Sequence, residues 1–86
     1  MFFPKEIMDF LMAIEKNLSR KAIKLIKESN YSDLADFHFG LGAYIRNEFI
    51  TKESAIYDYF KGIGFESKDQ MSSVLIRYLY FYLKNK

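Results

Sequence analysis

Cysteine and tryptophan are absent from the sequence, and proline and histidine each occur once among its 86 residues. Without cysteine the chain can form no disulfide, no thiolate metal site and no thiol nucleophile, and it suits a reducing compartment. No apolar run approaches the roughly 20 residues that a bilayer span requires, and the N-terminus lacks the pattern of a secretory signal. These absences predict a cytoplasmic protein without a membrane segment.

Large apolar side chains are abundant. Half of the residues are hydrophobic, and nine Phe and seven Tyr supply large areas for burial. A chain of this length is near the size at which one core only just offsets chain entropy, about 1.5 kcal/mol per ordered residue. We therefore expect residues 1–86 to form a single domain around one core.

Charge is distributed unevenly, although the net charge is only +2. Residues 28–69 hold eight acidic and four basic residues, a net charge of −4, and the two ends of the chain are basic. A nucleic-acid module usually concentrates its positive charge in one patch. The pattern therefore does not favour direct nucleic-acid binding, and it leaves an acidic centre available to a basic partner.

The spacing of apolar residues predicts an all-α fold, a single compact bundle of about five helices. N-cap residues mark the starts: Ser19 for the second helix, Ser32 for the third, Thr51 for the fourth, and Ser67 with Gln70 for the fifth. Gly62 or Gly64 ends the fourth helix, which is expected to bury Ile63. The predicted helices cover about residues 5–17, 20–28, 33 to 49 or 50, 52 to an end at Gly62 or Gly64, and 68–84.

The third predicted helix contains unusual residues. Gly40 and Gly42 each cost a helix about 1 kcal/mol relative to alanine, and both flank its apolar stripe, so we interpret them as packing glycines at which valine would overpack the fold. His38 lies on the stripe without a second histidine or an orienting carboxylate nearby. We therefore expect no catalytic residues, no metal and no cofactor, and a structural role for His38.

Two further features have structural explanations and functional alternatives. Arg46 and Asn47 lie at the end of the third helix, where an arginine favourably meets the helix dipole, although it could also pair with a nearby carboxylate. The last helix has a second apolar stripe of Ile76, Tyr80 and Leu83. Either a neighbouring helix covers this stripe, or it faces a partner.

The segment from Phe37 to Asn47 resembles the signature of a family of small bacterial proteins. Members pair a His-Phe-Gly-Leu-Gly run, here His38 to Gly42, with an aromatic-Ile-Arg-Asn run, here Tyr44 to Asn47. The resemblance implies an all-helical fold and supplies no known reaction. The motif residues that it singles out are His38, Gly40, Gly42, Arg46 and Asn47.

Small helical proteins of this kind also resemble immunity proteins of toxin–immunity systems, including contact-dependent growth inhibition. This resemblance implies a protein that neutralises a cognate toxin domain, and the acidic centre would suit a nuclease toxin. The residues expected to bind the toxin are the carboxylates of the centre and two tyrosines outside the main stripes: Glu48, Glu53, Tyr57, Asp58, Glu66, Asp69 and Tyr80.

Two alternatives remain at this stage. A homo-oligomeric or adaptor module, such as a homodimer, would use Ile76, Tyr80 and Leu83 as a self-complementary seam. An enzyme would need His38 in a pocket beside a carboxylate.

Overall fold

Helices make up most of the computed structural model, which describes residues 3–37, 39–51 and 54–85. These residues contain no strand. The all-α prediction is confirmed, but the described ranges contain six helices where about five were expected. They are α1 (Lys5–Asn17), α2 (Arg20–Glu28), a 3₁₀ helix (Tyr31–Phe37), α3 (Gly40–Glu48), α4 (Ala55–Gly62) and α5 (Lys68–Lys84).

Serine side chains begin three of the helices. The hydroxyl of Ser19 accepts from the third amide beyond it at 3.1 Å, and Ser67 does the same at 3.2 Å. These caps confirm the predicted starts of α2 and α5. The cap of α4 is Ser54 and not Thr51: the Ser54 hydroxyl accepts from an amide of the helix at 3.1 Å and donates to the Thr51 carbonyl at 2.9 Å.

The predicted third helix is wrong, because residues 31–37 form a separate 3₁₀ helix. Ser32, the predicted N-cap of the third helix, lies inside that 3₁₀ helix. Side chains three residues apart share one face of a 3₁₀ helix. Tyr31, Leu34 and Phe37 have this spacing; Leu34 is buried, and Phe37 packs against the core. In the 3₁₀ helix these three side chains are aligned, whereas along an α-helix they would span about 120°.

The motif glycines differ from each other in position. Gly40 is the first residue of α3, it is exposed, and a Cβ atom added there would meet nothing within 4 Å. Its prediction as a packing glycine is therefore wrong. Gly42 is buried, as expected for a glycine in contact with a neighbour. His38 lies outside the described residues.

The end of α4 is a Schellman turn. The amide of Phe65 donates to the carbonyl of Phe60 at 2.9 Å, and that of Gly64 to Lys61 at 3.2 Å. Gly64 has a φ of 102°, which glycine adopts without steric cost. This turn ends the helix as predicted, but it leaves Ile63 58% exposed, so the expected burial of Ile63 is wrong.

The longest helix, α5, lies at the centre of the fold. It packs against α1, α2, α3 and the 3₁₀ helix, and α1 also packs against α4. Each of the six helices contributes at least one side chain to one apolar core. The fully buried large side chains are Ile7, Leu11, Ile14, Ile45, Ile50, Phe60, Met71, Leu75, Leu79 and Leu83.

The second apolar stripe of α5 is mostly buried, because α5 packs against other helices on several sides. Ile76 and Leu83 are buried within the chain, at 4% and 1% exposure. A neighbouring helix therefore covers most of the stripe, and these two residues cannot form the seam of a homodimer. Within the described ranges, no helix has both the length and the hydropathy needed to cross a bilayer.

Candidate protein-binding surface

Two depressions lie side by side on the outer face of α5. One, of about 450 Å³, lies between α5 and the 3₁₀ helix and reaches Phe39 at the start of α3. The other, of about 420 Å³, lies between α5 and the loop that follows α4. Ser73 and Arg77 line both depressions. We call the two depressions together the α5 groove.

Exposed apolar side chains gather around this groove. In the described residues five large apolar side chains are exposed, and three of them line the groove. Tyr31 is 51% exposed and Phe39 86% exposed on one side, and Ile63 is 58% exposed on the other. Large exposed apolar side chains beside a depression are typical of binding sites for other proteins.

Aromatic packing fixes one wall of the groove. The ring of Tyr31 contacts two rings of α5, with centroids 6.0 Å from Tyr80 and 5.7 Å from Phe81. Lys84 places its ammonium 5.2 Å from the centroid of the Tyr80 ring. Tyr31 is therefore held against α5 by one side, while half of its surface stays open to a partner. Such a preset aromatic loses little side-chain entropy on binding.

Arg77 is the one charged side chain among the described residues that line the groove. It is exposed, and it makes no hydrogen bond or ion pair within the described ranges. Arginine and tyrosine are the residue types most enriched among those that dominate binding energy at protein interfaces. The groove thus combines exposed apolar side chains, the polar side chains of Ser32, Gln70 and Ser73, and one available cation.

The predicted motif residue Arg46 lies elsewhere and ties α3 to α5. Its guanidinium donates to the hydroxyl of Ser72 at 3.0 Å and lies 3.4 Å from the carboxylate of Asp69. The Arg46 side chain is 22% exposed, and Asp69 is 74% exposed. This arrangement supports a structural role for Arg46. Asn47 is exposed.

The structure does not unite the acidic residues predicted to bind a partner. Glu66 precedes α5, Asp69 lies in its first turn, and the charge of Asp69 is partly matched by Arg46. Glu48 and Asp58 are exposed on other helices, with no hydrogen bond or ion pair between them and that turn in the described residues. Glu53 lies outside the described residues.

The two tyrosines predicted at the interface are half-buried. Tyr57 packs against the core from α4. Tyr80 is half-buried beside Tyr31 and Phe81, so it supports the wall of the groove. Both side chains thus have packing roles inside the chain.

Another acidic surface was missed from the sequence. Glu28, Asp33 and Asp36 line a depression of about 370 Å³ together with Leu25 and Phe37. All three carboxylates belong to the acidic centre, and the turn between α2 and the 3₁₀ helix brings them together. In the part of the chain that the structure describes, no group of three or more His, Cys, Asp or Glu side chains is arranged to hold a metal ion.

The fold and this surface define a small all-α domain with an open groove of mixed apolar and polar lining on its central helix. Comparison of the sequence with known protein families identifies its family. The chain belongs to the family described as "Domain of unknown function (DUF6794)", whose model matches residues 3–83. No curated protein and no solved structure matches the chain.

Proposed function

We propose that this protein is an immunity protein, which binds a cognate toxin domain in the cytoplasm and neutralises it by binding, without catalysis of its own. The observation that carries the binding role is the α5 groove, where Tyr31, Phe39 and Ile63 are exposed around Arg77. The identity of the partner as a toxin is supported by the resemblance to immunity proteins.

Exposed carboxylates support a basic toxin, such as a nuclease. Asp58 and Glu66 are exposed, and neither is neutralised by an ion pair within the described residues. Carboxylates of this kind raise the rate of encounter with a positively charged surface. In this proposal the groove supplies the contact area, and the carboxylates direct the approach.

Co-expression tests the proposal directly. The toxin candidate is the C-terminal domain encoded by the gene beside this one, and it is induced in a sensitive strain with and without this protein. We expect growth to resume only with the protein present. Continued growth arrest at matched expression would reject the immunity role.

A matched pair of variants links protection to the groove. Ile63 and Leu25 are equally exposed, at 58%, but Leu25 lies on α2 beside the acidic depression. Ile63→Ala is expected to reduce protection, and Leu25→Ala to retain it; addition of Tyr31→Ala to Ile63→Ala is expected to abolish protection. Loss with Leu25→Ala alone would assign the contact to the other depression.

Self-association through the same groove has a distinct signature. Sedimentation of the protein alone over a hundredfold range of concentration is expected to give a monomer. A concentration-dependent dimer that Ile63→Ala dissociates would instead make the groove a homodimer interface.

A further inference from the structure

The two depressions of the α5 groove are separated by one short ridge. Ser73 and Arg77 are four residues apart on α5, so they lie on the same face, one turn from each other. Because both side chains line both depressions, they form the ridge between them. A segment that fills both depressions must therefore cross Arg77.

Because the α5 groove is open to solvent, its shape favours a macromolecular ligand over a small molecule. Sites for small molecules usually enclose 70–90% of the ligand surface. Here the side chains that line the walls are themselves largely in solvent, with Phe39 86% exposed and Ile63 58% exposed. Such walls fit a segment of a larger molecule, which brings its own surface to cover them.

The positive charge of Arg77 on this ridge determines which polar group the bound segment must contain. An apolar segment that covered the groove would remove Arg77 from water, and an unpaired guanidinium buried in this way is costly. The described residues that line the groove include no carboxylate. The acceptor must therefore come from the partner, and a carboxylate is the group that pairs with arginine through two parallel hydrogen bonds.

We infer that the α5 groove binds an apolar segment of a partner protein in which a carboxylate lies between two large apolar side chains. The apolar side chains occupy the two depressions, and the carboxylate pairs with Arg77. This inference rests on the proposed function only in assigning the segment to the toxin domain.

A phage-displayed library of random 16-residue peptides is the probe. It is selected on the immobilised full-length protein, and the enriched peptides are synthesised with a fluorescent label and titrated by polarisation. We expect the enriched sequences to carry Asp or Glu between two large apolar residues. Enrichment of basic or uncharged sequences, or no enrichment over a heat-denatured sample, would overturn the inference.

Variants of Arg77 test the pairing. Arg77→Glu is expected to weaken binding of the selected peptides at least tenfold. Arg77→Lys should have an intermediate effect, because an ammonium lacks the planar fork of the guanidinium. Lys21→Glu makes the same charge change on an exposed residue of α2 outside the groove and should leave affinity within twofold. Equal weakening by Lys21→Glu and Arg77→Glu would reject the pairing.

Folding of the variants is checked by circular dichroism and urea unfolding. Arg77→Gln and Ile63→Ala provide further variants should charge reversal disturb the fold, and both are expected to weaken binding. The inference and the proposed function fail separately. Peptides that bind as described without protection from the neighbouring toxin would reject only the immunity role, and protection that survives Arg77→Glu would reject only the inference.

Discussion

The guanidinium of Arg46 donates to the hydroxyl of Ser72 at 3.0 Å, which joins α3 to α5 across 26 positions of the sequence. Ser72 is fully buried, and its hydroxyl also lies 3.1 Å from the carbonyl oxygen of Asp69. The Ser72 hydroxyl on α5 therefore supplies a hydrogen-bond acceptor to the largely buried guanidinium of Arg46 on α3. Because α5 is the central helix, this contact fixes α3 against the element that carries the groove.

Removal of the Ser72 hydroxyl tests this contact. Ser72→Ala leaves a guanidinium that is only 22% exposed without that acceptor, so we expect a loss of about 1–2 kcal/mol in the free energy of unfolding. Asp69→Asn removes the charge of an exposed partner, and its cost should be under about 1 kcal/mol because solvent screens the pair. Urea unfolding measures both values.

The salt dependence of stability separates the two interactions. The cost of Asp69→Asn should shrink as salt rises, and that of Ser72→Ala should not. Lys5→Ala breaks a fully exposed ion pair with Asp9 and serves as the control, with no measurable effect expected. A larger cost for Asp69→Asn than for Ser72→Ala would show that the ion pair dominates.

Helix boundaries were predictable where local chemistry decides them. The hydroxyls of Ser19 and Ser67 each accept from an amide only three residues further along, so nearby residues alone determine where these two helices begin. The predicted third helix failed because Leu34 and Phe37 were assigned to the same α-helical stripe as the residues of α3, whereas they belong to a separate 3₁₀ helix that begins at Tyr31. The strict spacing of three from Tyr31 to Leu34 to Phe37 is the signal that could have indicated a 3₁₀ helix.

The groove could not be predicted in the same way, because exposure depends on contacts between helices. Ile63 belongs to an apolar pattern, but the Schellman turn directs the chain away before it can be buried. Arg77 stands alone on α5 without a motif, and its importance follows only from the depressions on either side. The partners of Arg46 were missed for the same reason, since only nearby carboxylates were considered.

Tyr82 provides a test of the contact between the first and last helices. Its hydroxyl donates to the carboxylate of Glu15 at 2.8 Å, and the residue is 8% exposed. Tyr82→Phe should reduce the free energy of unfolding by about 1 kcal/mol or more, since the acceptor is charged. Thermal and urea unfolding give the value.

Tyr57→Phe is the matched control, because the Tyr57 hydroxyl makes no hydrogen bond within the described residues. We expect this variant to unfold like the wild type. A comparable loss in both variants would mean that the hydroxyl of Tyr82 contributes through something other than Glu15.

Two glycines should respond to alanine in opposite directions. Gly40→Ala places a Cβ in open space at the start of α3, so it should stabilise the protein by about 0.5 kcal/mol through a less flexible unfolded chain. Gly64→Ala also meets no atom within 4 Å, but its φ of 102° makes an L side chain unfavourable, at a cost of about 1 kcal/mol. The midpoint of urea unfolding should rise for Gly40→Ala and fall for Gly64→Ala, relative to the wild type. Destabilisation by Gly40→Ala would restore the interpretation of Gly40 as a packing glycine.

Electrostatic steering by the acidic residues is tested by charge reversal, with the toxin domain from the co-expression experiment as the partner. Glu66 directly follows Phe65, which lines the groove, whereas Glu28 lies at the separate acidic depression. The field of a surface charge is screened beyond about 10 Å at 0.1 M salt. Glu66→Lys should therefore slow association by about tenfold at low salt, with little change in the dissociation rate, and Glu28→Lys should have a smaller effect. Stopped-flow mixing across a range of salt concentrations measures both rates.

If Glu28→Lys slows association more than Glu66→Lys, the toxin approaches over the acidic depression; if neither rate depends on salt, the carboxylates do not steer it.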